Sequence, residues 1–131
     1  MFEEVEHTAD YAIRAWGADL PELFVEAARG MNALTGGAPG EPAASRDLCL
    51  EAPELETLLV VWLEELAFLM EVEGEMYSKF EVAALAPTQL RARVSGGPAV
   101  GLDKLIKAVT FHNLAIQEAA GGYETTIVFD V

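Results

Sequence analysis

Apolar and polar residues alternate with a period of two over residues 2–6 and again over 11–17, as half-buried strands do. His7-Thr8-Ala9-Asp10 therefore falls in the connection between two strands. After Gly17 the period lengthens. Asp19 is a good N-cap, Pro21 is tolerated in a first turn, and Glu22 favours the positive end of the helix dipole. Leu20, Leu23, Phe24, Ala27, Ala28, Met31 and Leu34 then share one helical face. Gly36-Gly37 closes the helix, and the Gly- and Pro-rich stretch to Ser45 reads as a loop.

Alternation returns over residues 46–52, with Leu48 and Leu50 on one side and Asp47, Cys49 and Glu51 on the other. Pro53-Glu54 opens a second helix that runs to about Glu73, before Gly74. Leu55, Leu58, Leu59, Trp62, Leu63, Leu66 and Met70 form a face broad enough to lie on a sheet. Two strands follow over 76–85 and 89–95, then a loop at Ser95-Gly96-Gly97-Pro98. A further strand is expected from about Lys107 to Ile116, a hairpin turn at Ala120-Gly121-Gly122, and a last strand over 123–131. The order predicts one α+β domain over residues 1–131, a mostly antiparallel sheet with two helices packed on it. Helices do not alternate with strands after residue 75, which disfavours a doubly wound parallel sheet.

Composition narrows the class. Apolar residues make up 52% of the 131, yet no run approaches the ~20 residues of a membrane span. The start Met1-Phe2-Glu3-Glu4 lacks the basic residues of a signal or transit peptide, so a cytoplasmic protein is expected. A single cysteine, Cys49, excludes an internal disulfide and a cysteine-rich zinc site, and its leucine neighbours make it a strand residue. Charge changes the picture more. With 22 acids against 8 bases the net charge is −14, which opposes stable binding to nucleic acid or to an anionic membrane. Cations or a basic protein partner suit such a chain better. The second helix carries Glu54, Glu56, Glu64, Glu65, Glu71 and Glu73 without one base, either a solvated face or an electrostatic docking surface.

Three places could carry chemistry: Asp10, the Lys107–Thr110–His112 strand, and Asp130 beside Val131. Asp10 could equally hydrogen-bond its own backbone at the turn. Asp130 should alternate out of a core filled by Ile127 and Phe129, with the oxygens of Val131 next door. If the strands beside these residues are neighbours, the donors converge, and hard oxygen donors suit Ca²⁺, Mg²⁺ or Mn²⁺ rather than zinc. Lys107 could simply snorkel from a sheet edge, and His112 could be a satisfied core or surface histidine. His7 and His112 are too few for a histidine-rich metal site. No P-loop, dinucleotide fingerprint or nucleophile elbow is present.

These same residues carry a family resemblance. Phe2 to Asp10 with its His-Thr-Ala-Asp, residues 17–31 and 58–73, Lys107-Ala108-Val109-Thr110-Phe111-His112 and the closing Phe129-Asp130-Val131 resemble the archeases over nearly the whole chain. The resemblance implies two strand-helix-strand-strand modules, one inserted in the other. It implies a small cytoplasmic cofactor, not an enzyme, that assists an RtcB-type RNA ligase in tRNA splicing. Such helpers promote transfer of guanylate onto the ligase's histidine, allow repeated turnover and broaden its nucleotide use. It further implies a metal site made by Asp10, Asp130 and the main-chain oxygen of Val131, with Ca²⁺ the first expectation and Mg²⁺ or Mn²⁺ next. Lys107, with Asp10 and Asp130, is implied in ligase activation, and His7, Thr8 and His112 stand as possible supporting residues. If the chain ends at Val131, that oxygen belongs to a terminal carboxylate and not a peptide carbonyl, which should raise cation affinity.

Two rival readings remain. A stand-alone metal-dependent hydrolase would use the same carboxylates but lacks an evident general base beyond His7 or His112. A general chaperone or scaffold would bind clients through the acidic and apolar faces.

Overall fold

The computed structural model describes residues 1–5, 11–111 and 113–131. In chain order the elements are β1 (Phe2–Val5), β2 (Tyr11–Gly17), α1 (Leu20–Thr35), β3 (Ala38–Pro39), β4 (Ala44–Glu51), α2 (Leu55–Val72), β5 (Glu75–Ala86), β6 (Gln89–Val100), β7 (Ala108–Thr110), β8 (Gln117–Ala119) and β9 (Gly122–Asp130). They form an α+β fold with two antiparallel sheets where the sequence suggested one. The outer sheet runs β1-β2-β9-β7, with β8 also on β9; the inner runs β3-β6-β4, with β5 on the other edge of β6.

Both sheets repeat one grammar. β4-α2-β5-β6 is a strand-helix-strand-strand unit whose last strand lies between the other two. β2-α1-β7-β9 has the same order, and β9 lies between β2 and β7. The inner unit interrupts the outer one between α1 and β7, so the nested arrangement is directly visible. Because the sheets share their helices, the core is common: α1 touches β1, β2, β9 and β5, while α2 touches β4, β5, β6 and β7.

Local chemistry explains the helices. The Asp19 carboxylate accepts the Glu22 N–H at 2.9 Å, the Glu22 carboxylate accepts the Ala18 N–H at 2.5 Å, and Pro21 occupies the first turn. These contacts satisfy donors that a helix start leaves open. At the other end Gly36 takes φ 77°, and its N–H donates to the Ala33 carbonyl, a left-handed cap that glycine adopts without Cβ strain. The α1 face Leu23, Phe24, Ala27, Ala28 and Met31 is fully buried. α2 buries Leu58, Leu59, Trp62 and Leu63 against it, and the Trp62 indole N–H donates to the Phe24 carbonyl at 2.9 Å. That bond lets the largest core side chain be buried without an orphaned donor.

Two sequence expectations need correction. The Ser95-Gly96-Gly97-Pro98 stretch is no loop, since β6 continues to Val100. A Cβ on Gly96 would stand 2.0 Å from the Met76 carbonyl oxygen, and one on Gly97 would stand 2.2 Å from that of Glu41. The glycines admit neighbouring backbone on both sides of a strand, a use of glycine that composition alone does not separate from a turn. The strand from Lys107 also stops early, after Thr110. Asn113 adopts φ 52°, and the Leu114 N–H donates to the Phe111 carbonyl at 3.1 Å, so the chain turns before β8 forms. Smaller differences are β3 within the expected loop and Gly122 as the first residue of β9. Among the described residues no helix is long and apolar enough to cross a membrane.

One polar cluster ties the inner sheet to the end of α2. Arg46 of β4 donates from Nε to Glu75 at 2.7 Å and to the Tyr77 hydroxyl at 3.1 Å, and approaches Glu73 at 3.9 Å. The Tyr77 hydroxyl also donates to Glu75. The hydrogen bond from Arg46, then that from Tyr77, holds the Glu75 carboxyl below its ordinary value of 4.5. Burial, with Glu75 next, pushes the Tyr77 phenol up to about 12.

Two predictions follow from this packing. Gly96→Ala should destabilise the fold by about 2–3 kcal/mol, because backbone atoms cannot step aside; chemical denaturation measures the loss. A depressed folded pKa at Glu75 means its contribution is complete above the unfolded value and lost as pH falls through the folded one. Glu75→Gln should therefore lower the melting temperature at neutral pH, and the gap to the unaltered protein should close as pH drops below 4.5 and on through the lowered folded value. A gap that persists undiminished in acid would remove the ionic explanation.

Candidate functional site

The last strand organises the site. In β9 the side chains of Ile127 and Phe129 are fully buried, while Asp130 is exposed. Val128, on the same face as Asp130, is also buried, but beyond it that face opens and Asp130 points to solvent. On one edge Phe129 pairs with Tyr11, the first residue of β2; on the other Asp130 pairs with Ala108, the first residue of β7. The Lys107 N–H extends that ladder, donating to the Asp130 carbonyl at 2.8 Å. Thus Asp130, Val131 and Lys107, three residues the sequence singled out, meet at one end of the outer sheet. With its own carbonyl engaged by Lys107, Asp130 offers its side-chain carboxylate, and Val131 adds a main-chain oxygen.

Cations flank this end. Lys107 is exposed. The Lys104 ammonium lies 5.1 Å from the centroid of the Tyr11 ring, a cation–π distance. Between the two lysines Ile106 is buried and anchors the segment. The Asp103 and Lys104 N–H groups both donate to the Thr35 carbonyl, at 2.8 and 3.2 Å, fixing the segment to the end of α1. Nothing in the sequence pointed to Lys104, because its aromatic partner lies 93 positions earlier, a separation local pattern cannot bridge.

His7, Thr8, Asp10 and His112 lie outside the described residues. Among the described residues no three His, Cys, Asp or Glu side chains gather as a metal cluster. What the described part does supply is hard oxygen donors, the Asp130 carboxylate and the Val131 main-chain oxygen. That chemistry fits Ca²⁺, Mg²⁺ or Mn²⁺ and not a soft-ligand metal.

A groove of about 180 Å³ adjoins the same end, walled by α2 residues around Phe68 and by residues 106–109. Concavities of about 510 and 590 Å³ lie at the opposite end of β9, around the Gly121 turn. There the Arg14 guanidinium stacks 4.6 Å over Trp16 and is held by Glu124 at 2.7 Å and Glu3 at 3.2 Å. Those partners occupy its donors and raise its pKa, Glu124 the most. The acidic side of α2 is partly engaged: Glu56 accepts the Ile116 N–H at 3.2 Å and Glu73 faces Arg46. Cys49 is exposed on β4.

Comparison with known proteins agrees with this architecture. The archease protein family (MTH1598/TM1083) matches residues 2–131. Protein archease of Methanosarcina acetivorans is 37% identical over 141 residues, covering 99% of this chain and 95% of that protein. Protein archease of Methanopyrus kandleri is 36% identical over 139 residues and covers 99% of both. The solution structure of Methanobacterium thermoautotrophicum protein 1598 superposes with a TM-score of 0.74 at 29% identity, over 99% of this chain and 98% of that one. A Thermotoga maritima archease described as a possible chaperone shares the fold, with a TM-score of 0.71 at 20% identity over 98% and 96% of the two chains. The chain belongs to the archease family.

Proposed function

We propose that the protein is a non-enzymatic activator of an RtcB-type RNA ligase in tRNA splicing, in the cytoplasm, and that it acts through the Asp130 end of the outer sheet. The observation that carries the reading is the register Tyr11–Phe129 and Ala108–Asp130, with the Lys107 N–H on the Asp130 carbonyl at 2.8 Å. It brings the Asp130 and Lys107 backbones together with Val131 next in sequence, and Asp10 is bonded to Tyr11. The ligase as partner comes from what the resemblance to the archeases implies.

Asp10, Asp130 and Val131 would hold a divalent cation, Ca²⁺ by first preference. A cation so held supplies positive charge toward phosphoryl oxygens while guanylate is transferred to the ligase. Lys107 presents a compact, strongly hydrated ammonium beside it, suited to a phosphate or to a ligase carboxylate. β9, paired on both edges, keeps these groups fixed while the partner moves. The chain's own role is to position charge, and no residue on it is required to act as a general base. Its net charge of −14 argues against independent RNA binding, so substrate would be met through the ligase.

Substituting Asp130 by Ala should leave the melting curve unchanged, because the side chain is exposed. It should cut multiple-turnover ligation at least about tenfold, since even outer partners of a metal cost that much when removed. Lys107→Ala should fold and lose part of the stimulation. Guanylylation and multiple-turnover ligation with the cognate ligase, across Ca²⁺, Mg²⁺ and Mn²⁺, measure both. Full stimulation by a folded Asp130→Ala protein would sink the reading.

A general chaperone is the second reading, favoured by the exposure of Phe68, Val72, Leu105 and Phe111. Suppressed aggregation of unrelated proteins, unaffected by Asp130→Ala, would mark it.

A further inference from the structure

Phe68 and Val72 stand one turn apart on α2 and are 53% and 59% exposed, and Leu105, next in sequence to the groove residue Ile106, is 43% exposed. A chain that buries nearly every other large apolar side chain of α2 leaves these outside, and clustered exposure of this kind marks a contact surface. Glu64 and Glu71 line the groove on the Phe68 side and Lys107 lines the other wall. Neither glutamate has an ion-pair partner among the described residues.

We infer that this groove docks a segment of the partner ligase in which an apolar side chain is flanked by Lys or Arg; the inference rests on the function proposed above. The apolar residue packs on Phe68 and against residues 106–109, and the basic one pairs with Glu64 or Glu71. Charge complementarity selects this occupant. RNA, an acidic segment or a second copy of a chain carrying −14 would meet unpaired carboxylates at the rim. A groove of about 180 Å³ takes a single side chain, so it is an anchor within a wider interface. Its position matters as much as its chemistry. Lys107 is both a groove wall and the backbone partner of Asp130, so a ligase segment seated there lies beside the acidic end of β9.

The test is titration of the full-length protein with its cognate ligase, by calorimetry, for three forms: unaltered, Phe68→Ser, and Glu64→Lys with Glu71→Lys. All substituted side chains line an open surface, and thermal melts confirm folding. Both variants should bind roughly tenfold more weakly or worse, and the charge-reversed one should also lose the salt dependence of the unaltered protein. Variants that bind and stimulate normally, alongside an Asp130→Ala protein that does not stimulate, would overturn the groove and leave the proposed function standing. An unaltered protein that neither binds nor stimulates the ligase would overturn both. Self-association abolished by Phe68→Ser would assign the groove to a second copy and overturn the inference.

Discussion

The two-sided pairing of β9 is the constraint on which the rest depends. β2 runs along one edge for seven residue pairs, while β8 and β7 divide the other. Register in such a strand is all or none, because a slip of one residue exchanges its faces. Here a slip would expose Ile127 and Phe129, each worth about 1.5–3 kcal/mol when buried. It would also turn the Asp130 carboxylate into the core, at a cost of several kcal/mol for an unpaired ion. Both terms favour the observed register, so the carboxylate is held at the surface by the packing of its neighbours. The Asp130 side chain need contribute nothing to stability itself.

The inner unit uses the same device for another purpose. β6 lies between β4 and β5 as β9 lies between β2 and β7, and its far end is crowded enough to require Gly96 and Gly97. Neither sheet could cover its apolar face alone, because each helix is shared. Phe24 of α1 and Trp62 of α2 are both fully buried and joined by a hydrogen bond. The inserted unit therefore completes the core of the unit it interrupts, and it brings α2 alongside β7, which creates the groove next to Asp130.

How much of this could be read beforehand followed the range of the interactions. Local signals were legible: Asp19 and Gly36 bound α1, and the alternation of Leu48 and Leu50 against Asp47 and Cys49 marks β4. The outward turn of Asp130 followed from Ile127 and Phe129. Signals with two meanings misled. Gly96-Gly97-Pro98 resembles a turn until the backbones of Met76 and Glu41 are seen against it. The apolar run after Lys107 resembles a longer strand because a positive φ at Asn113 leaves no trace in hydropathy. Interactions made only by folding were invisible, among them Lys104 over Tyr11 and the exposure of Phe68 on a helix that buries most of its large apolar side chains. The Asp10 part of the expected site lies outside the described residues; the pairing of β2 with β9 and the Lys107 N–H on the Asp130 carbonyl are visible only in the fold.

Charge finally has to be judged locally. A chain with 22 acids and 8 bases repels phosphate at long range, yet at physiological salt fields fade over about 8 Å. At contact, the groups within that distance decide. Two of the eight bases, Lys104 and Lys107, stand three positions apart beside the Asp130 end, Lys104 over Tyr11 and Lys107 in the ladder. In the proposed reading the opposition is useful. Long-range repulsion keeps the protein off free RNA, and exposed carboxylates attract cations and basic protein surface. The two lysines spare the immediate vicinity of the site from excluding a phosphate that the ligase has already bound. A uniformly acidic end would lose that last property, and a uniformly basic one would compete with the ligase for RNA.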